Sequence, residues 1–193
     1  MKSLTVFCGS SSGFRTEYAD AAVNLAGLLA ERNIRLVYGG GNVGLMGIIA
    51  DEVMRKGGEV VGIIPESLDR KEVGHRGLTE LRVVSSMHER KALMAELADG
   101  FIAMPGGIGT FEEFFEILTW AQLGFHEKPC GILNVAGYYD GLLSLCDNAV
   151  REGFLRDIHR QLILAESEPQ KLLGRMQDFR PPAVEKWIDR TDL

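Results

Sequence analysis

The chain has 193 residues, 46% hydrophobic and 25% charged, with a net charge of −6 at neutral pH and a mean hydropathy near zero. Those values fit one globular domain with a sizeable core, and the acidic balance argues against a nucleic-acid or anionic-membrane surface. No run of about 18 apolar residues occurs, so no membrane-spanning helix is expected, and the three separated cysteines (Cys8, Cys130, Cys146) suit a reduced, cytoplasmic protein better than a disulfide framework or zinc site.

Taken in chain order, short apolar runs alternate with segments of helical period. Leu4–Cys8 is too short for the core of a signal peptide and reads as a first strand. A helix is expected over Thr16–Glu31, a strand over Ile34–Tyr38, a helix over Gly44–Lys56 and a strand over Val60–Ile64. Residues 66–79 are polar, rich in Lys, Arg, Glu and Gly, and form a long loop. Strands at Leu81–Val84, Phe101–Met104, Cys130–Leu133 and Leu162–Leu164 then alternate with helices at Met87–Ala98, Thr110–Leu123, Tyr139–Glu152 and Pro169–Gln177. No repeat or linker interrupts residues 1–177, which read as one domain; residues 178–193, with Pro181-Pro182, read as an exposed tail. Strands that are apolar throughout, each followed by a helix, predict an α/β fold. Right-handed crossovers then leave a doubly wound, Rossmann-like parallel sheet with helices on both faces.

In such folds ligands sit beyond the carboxyl ends of the strands, where three loops stand out. "CGSSSG" (8–13) fits the spacing of a nucleophile elbow, but Ser11 follows the first strand, which leaves no upstream chain for an oxyanion loop. A turn whose Ser10 hydroxyl and backbone N–H groups face a nucleotide suits it better. "GGGNVG" (39–44) fits a dinucleotide motif, yet it follows the second strand and lacks a well-placed ribose acid. Its glycines, Gly40 and Gly41 among them, still let backbone approach an anion at a helix start. "PGGIGTFEE" (105–113) lacks the lysine of a Walker A loop but supplies N–H donors from Gly106, Gly107, Ile108 and Gly109, and the Thr110 hydroxyl.

Thr110 is placed to cap the helix behind this third loop, with Glu112 and Glu113 in its first turn, where the dipole favours carboxylates. Glu113 also comes within reach of whatever the glycines hold. The same helix is apolar round most of its circumference, from Phe111 to Leu123, which calls for burial on two sides. Upstream, Arg90 and Lys91 open another helix, either as solvated surface or facing the same crevice.

"MHERK" (87–91), "PGGIGTFEE" (105–113) and "TWAQLGFHEKPCGILNVAGYYDGLL" (119–143), together with "VYGGGNVGLMG" (37–47) and "VFCGSSSG" (6–13), resemble the LONELY GUY family of cytokinin-activating enzymes. The resemblance runs in unbroken order from about residue 3 to about 175. It implies hydrolysis of the N-glycosidic bond of a cytokinin nucleoside 5'-monophosphate, giving free base and ribose 5-phosphate. It also implies Arg90 and Glu113 as catalytic residues. Nucleotide contacts would come from Lys91, Gly106, Gly107, Ile108, Gly109, Thr110, Phe111 and Glu112, with Glu72 and Thr119 as further substrate contacts. Thr119, six residues past Glu113, sits about 120° round the helix from it. No metal or cofactor is implied, and a homodimer with active sites near the subunit boundary is. The loop "KEVGHRGLTEL" (71–81) departs from plant-like sequences, so plain adenine joins the N6-modified adenines as a candidate base. The family's historical label, lysine decarboxylase, fits poorly, because that chemistry needs pyridoxal phosphate on a Schiff-base lysine. A non-catalytic nucleotide carrier or sensor and a nicotinamide-dependent oxidoreductase remain as rival classes.

Overall fold

Seven strands, buried on both faces except at the edges of the sheet, pair in parallel in the order β4-β3-β2-β1-β5-β6-β7 in a computed structural model that describes residues 1–69 and 74–182. They are β1 (Ser3–Phe7), β2 (Arg35–Tyr38), β3 (Val60–Pro65), β4 (Glu80–Val84), β5 (Phe101–Ala103), β6 (Cys130–Leu133) and β7 (Ile163–Glu166). The order grows outward from β1 in both directions, so the topological switch point lies between β1 and β5.

The helices are α1 (Thr16–Glu31), α2 (Gly44–Arg55), α3 (Glu66–Asp69), α4 (Met87–Leu97), α5 (Ile108–Gln122), α6 (Asp140–Arg151), α7 (Asp157–Arg160) and α8 (Pro169–Asp178). Helix α1 shows why the layers form. Its Ala22, Leu25, Ala26 and Leu29 make one apolar stripe, fully buried with α2 and α8 on one face of the sheet. The opposite core gathers Met94 of α4, Phe114, Ile117 and Ala121 of α5, and Cys146 of α6.

The long elements fall within two residues of their expected bounds. The short helices α3 and α7, and a 3₁₀ turn at Val135–Gly137, were not expected. Segment 66–79 therefore begins as helix rather than loop, and Gly74 returns to bridge Gly41. Phe179, placed by the sequence in an exposed tail, is partly buried against both cores.

Candidate active site

Helix α5 begins at Ile108 with Gly107 as its N-cap, so Thr110 is not the cap. Thr110 is buried instead, and a Cβ on Gly106 would come within 2.2 Å of its hydroxyl, so glycine is required there. The early start also moves Glu112 and Glu113 into the second turn, where the helix dipole no longer accounts for them. The first-turn N–H groups of Ile108, Gly109 and Thr110 have no intrahelical acceptor, and Gly107, Ile108 and Gly109 are exposed. Across from them lies a cleft of about 310 Å³ at the switch point, bounded by Ser10, Ser11, Gly106, Gly107 and Tyr138. Ser10 is exposed in its wall, while the Ser11 hydroxyl closes its own turn by accepting from Gly13 N–H at 3.3 Å.

The second glycine loop differs. The start of α2 is occupied, because Leu45 and Met46 donate their N–H groups to the Gly9 carbonyl at 3.0 and 3.4 Å. Gly40 and Gly41 are buried beneath residues 74 and 75: the Gly40 carbonyl accepts from His75 N–H at 2.8 Å, and Gly41 bridges Gly74. Their expected approach to an anion is thus replaced by packing against chain. Of the two glycine-rich helix starts, the one after β5 is open.

What the second loop contributes is a carbonyl. Ser86 caps α4 by accepting from Glu89 N–H at 3.1 Å, and the Glu89 carboxylate accepts from Ser85 N–H at 2.8 Å, which fixes the start of the helix that carries Arg90. From there Arg90 points inward, only 8% exposed. Its Nε donates to the Ile63 carbonyl at 3.0 Å and one terminal nitrogen to the Gly39 carbonyl at 3.0 Å. Its other terminal nitrogen lies 3.4 Å from the Glu113 carboxylate. The carboxyl ends of β2 and β3 therefore aim one guanidinium at one carboxylate. Burial pushes the Glu113 carboxyl above the usual glutamate range, while Arg90 pulls it back toward ionisation.

Lys91 does not turn to the cleft. Its ammonium lies 2.5 Å from Glu112 and 3.0 Å from Glu116, a carboxylate the sequence reading passed over. Partial burial disfavours the lysine's charge, but the two carboxylates outweigh it and its pKa is raised. Lys91 and Glu112, both expected to contact the nucleotide, are thus joined with Glu116 in one ion-pair network. A Schiff-base amine needs the opposite shift, so Lys91 does not suit the lysine of a pyridoxal enzyme.

Thr119 is exposed, and its hydroxyl donates to the Phe115 carbonyl at 2.7 Å one turn back along α5. It stays apart from the Arg90–Glu113 pair. Phe111 is half-buried, edge-on to Tyr139 with ring centroids 6.0 Å apart. Glu72 lies outside the described residues. Tyr138 and Tyr139, which follow β6 at the same end of the sheet, were not singled out. The signal was a pair of amphipathic rings directly after a strand and a Gly-containing turn.

The protein-family model described as "Possible lysine decarboxylase" matches residues 46–176. The cytokinin riboside 5'-monophosphate phosphoribohydrolase LOG2 of Arabidopsis thaliana is 52% identical over 178 residues, covering 92% of this chain and 84% of that protein. The chain belongs to the LONELY GUY family. Arabidopsis LOG1, with the same enzyme name, is 48% identical over 180 residues, covering 93% of this chain and 84% of that protein. Among solved structures, the molybdenum cofactor binding protein of Rippkaea orientalis superposes with a TM-score of 0.69 at 20% identity, covering 92% of this chain and 97% of its own. A molybdenum cofactor carrier protein of Chlamydomonas reinhardtii gives 0.67 at 16% identity, covering 91% and 95%. At such identities these two establish the shared fold only.

Proposed function

We propose that the protein hydrolyses the N-glycosidic bond of cytokinin riboside 5'-monophosphates, and of AMP, to free base and ribose 5-phosphate. The observation that carries this reading is the buried Arg90–Glu113 pair one helical turn behind an open anion-binding helix start. Glu113 follows Thr110 by three residues, so it stands about 4.5 Å further along the axis and about 60° round it. A phosphate on the N–H groups of residues 108–110 would leave the ribose over the Glu113 carboxylate. Breaking the bond from C1' to the base nitrogen builds positive charge on the sugar, and a fixed carboxylate stabilises that charge and orients the attacking water. Water adds to C1', and the departing nitrogen takes up a proton. Arg90 keeps Glu113 aimed and favours its charged form against the burial that opposes it. The direct test is incubation with AMP and isopentenyl-AMP followed by chromatography of the bases; bound nucleotide without free base would make the protein a carrier.

Gly39 supplies a test of the Arg90 socket. A Cβ there would stand 1.9 Å from an Arg90 terminal nitrogen, so Gly39→Ala must expel the guanidinium from its carbonyl. Losing one hydrogen bond to a charged group should lower kcat about tenfold to a hundredfold. Gly141→Ala, with no atom within 4 Å of its added Cβ, is the control and should leave the rate unchanged.

The working form is a homodimer. Phe114 is buried at 2% exposure, but Phe115 is 37% exposed. Elsewhere on this layer, a groove of about 530 Å³ between α4 and the end of α5 is lined by Ala92, Ala95, Trp120 and Phe125 together with Glu96, His126 and Lys128. Such apolar exposure suits a two-fold contact. Phe115→Glu should shift sedimentation toward the 21.3 kDa monomer and lower activity with it. A fully active wild-type monomer at micromolar concentration would contradict the dimer.

A further inference from the structure

Tyr138 and Tyr139 sit on a turn whose backbone is over-determined. Ala136 adopts φ 52°, the left-handed region an alanine rarely enters, and Gly137 follows at φ 74°. Asn134 holds the turn: its side-chain oxygen accepts from Tyr139 N–H at 2.7 Å, its side-chain nitrogen donates to Asp140 at 2.7 Å, and its own N–H donates to the Glu166 carbonyl at 2.8 Å. Strain of this kind persists where the surroundings enforce it, and it clusters near functional sites.

From that turn the two hydroxyls reach the loop ahead of α5. Tyr139 donates to the Met104 carbonyl at 2.6 Å, and Tyr138 to the Gly106 carbonyl at 2.5 Å. Between them, the Pro105 carbonyl accepts from Gly9 N–H at 3.0 Å. All three carbonyls that precede the open helix start are therefore engaged by protein donors. This matters for an anion, because a carbonyl swung into the cleft would repel it. A trans peptide is planar, so its C=O and the following N–H point in opposite directions. Holding the Gly106 carbonyl on Tyr138 thus fixes where the Gly107 N–H points and prevents that peptide from flipping. The Tyr138 ring packs edge-on against Tyr18 at 5.7 Å and Tyr139 at 5.0 Å, which directs its hydroxyl toward the loop.

We propose that Tyr138 is a positioning residue for the phosphate loop, its hydroxyl locking the Gly106–Gly107 peptide so that the loop offers N–H groups and no free carbonyl to a phosphate monoester. This rests on the phosphate assignment made above. Tyr139 is buried and anchors the deeper end, whereas Tyr138 is 39% exposed, so its hydroxyl can be removed without opening the core.

The experiment compares wild type with Tyr138→Phe, which keeps the ring and deletes the donor. Calorimetry with inorganic phosphate and with AMP, and steady-state kinetics on AMP and adenosine, are the readouts. Phosphate and AMP binding should weaken about tenfold, with KM for AMP rising in step and kcat changing less than about threefold. Rates on adenosine and the thermal midpoint should stay at wild-type values. Unchanged phosphate binding in Tyr138→Phe, beside an active wild type, overturns the positioning role alone. An equal loss on AMP and adenosine, with a lowered midpoint, also overturns it by marking Tyr138 as merely structural. A wild type that binds no phosphate and releases no base overturns the proposed function together with this inference.

Discussion

Glu113→Gln is expected to lower turnover by roughly 10²–10⁴-fold while nucleotide binding changes little. Glutamine keeps the shape and the contact with Arg90 but loses the charge, and that charge matters most once the sugar becomes cationic. Loss confined to kcat is therefore the signature, and a folded variant turning over at nearly the wild-type rate would remove Glu113 from the mechanism. Glu112→Gln is the contrast. Its side chain is half exposed and faces Lys91, which keeps Glu116 as a second partner, so the effect should stay within a few-fold.

The pH dependence follows from the same burial. Desolvation raises the Glu113 pKa against the pull of Arg90, so activity should fall on the acid side at a pH above the ordinary glutamate range. The stability effect has a definite sign. A carboxyl whose folded pKa is raised favours folding fully below its unfolded pKa, and that contribution is lost as pH rises through the folded value. Glu113→Gln cannot ionise, so the wild-type midpoint should fall relative to the variant across that window, measured by thermal melts. A midpoint difference that does not vary with pH would mean that Glu113 titrates normally.

The sheet was legible because its inner strands are apolar without alternation, as a parallel sheet covered on both faces requires. Helix starts were harder. Thr110 has the chemistry of a cap, but a buried contact with Gly106 claims it, and the cap falls to Gly107, which has no side chain to betray the role. The roles of Arg90 and Glu113 came through the resemblance, since nothing in "HERK" says which partners the arginine and the lysine each take. That division comes from tertiary partners, namely carbonyls at the ends of β2 and β3 for Arg90 and two α5 carboxylates for Lys91. The glycine loop at 39–44 misled for a similar reason. Its composition suits an anion, and only the fold shows residues 74 and 75 and the Gly9 carbonyl already filling it.

Nucleosides are expected to be far poorer substrates than their 5'-monophosphates. The first turn of α5 offers N–H groups without acceptors, in a field equivalent to roughly half a positive charge at the helix end. Charge-assisted hydrogen bonds contribute about 1.5–3 kcal/mol each. Two of them missing from adenosine would amount to about 3–6 kcal/mol, roughly 10²–10⁴-fold in kcat/KM. Part of that loss should appear in kcat, because a phosphate held at the helix start positions a ribose that reacts some distance away. Lys91→Gln distinguishes two sources of this preference. If the backbone holds the phosphate, as the pairing of Lys91 with Glu112 and Glu116 favours, the ratio of rates on AMP and adenosine should survive the substitution. If Lys91 leaves those carboxylates for the nucleotide, the ratio should collapse by about tenfold or more. Equal kcat/KM for adenosine and AMP in the wild type would sink the phosphate assignment itself, leaving the open helix start without its ligand.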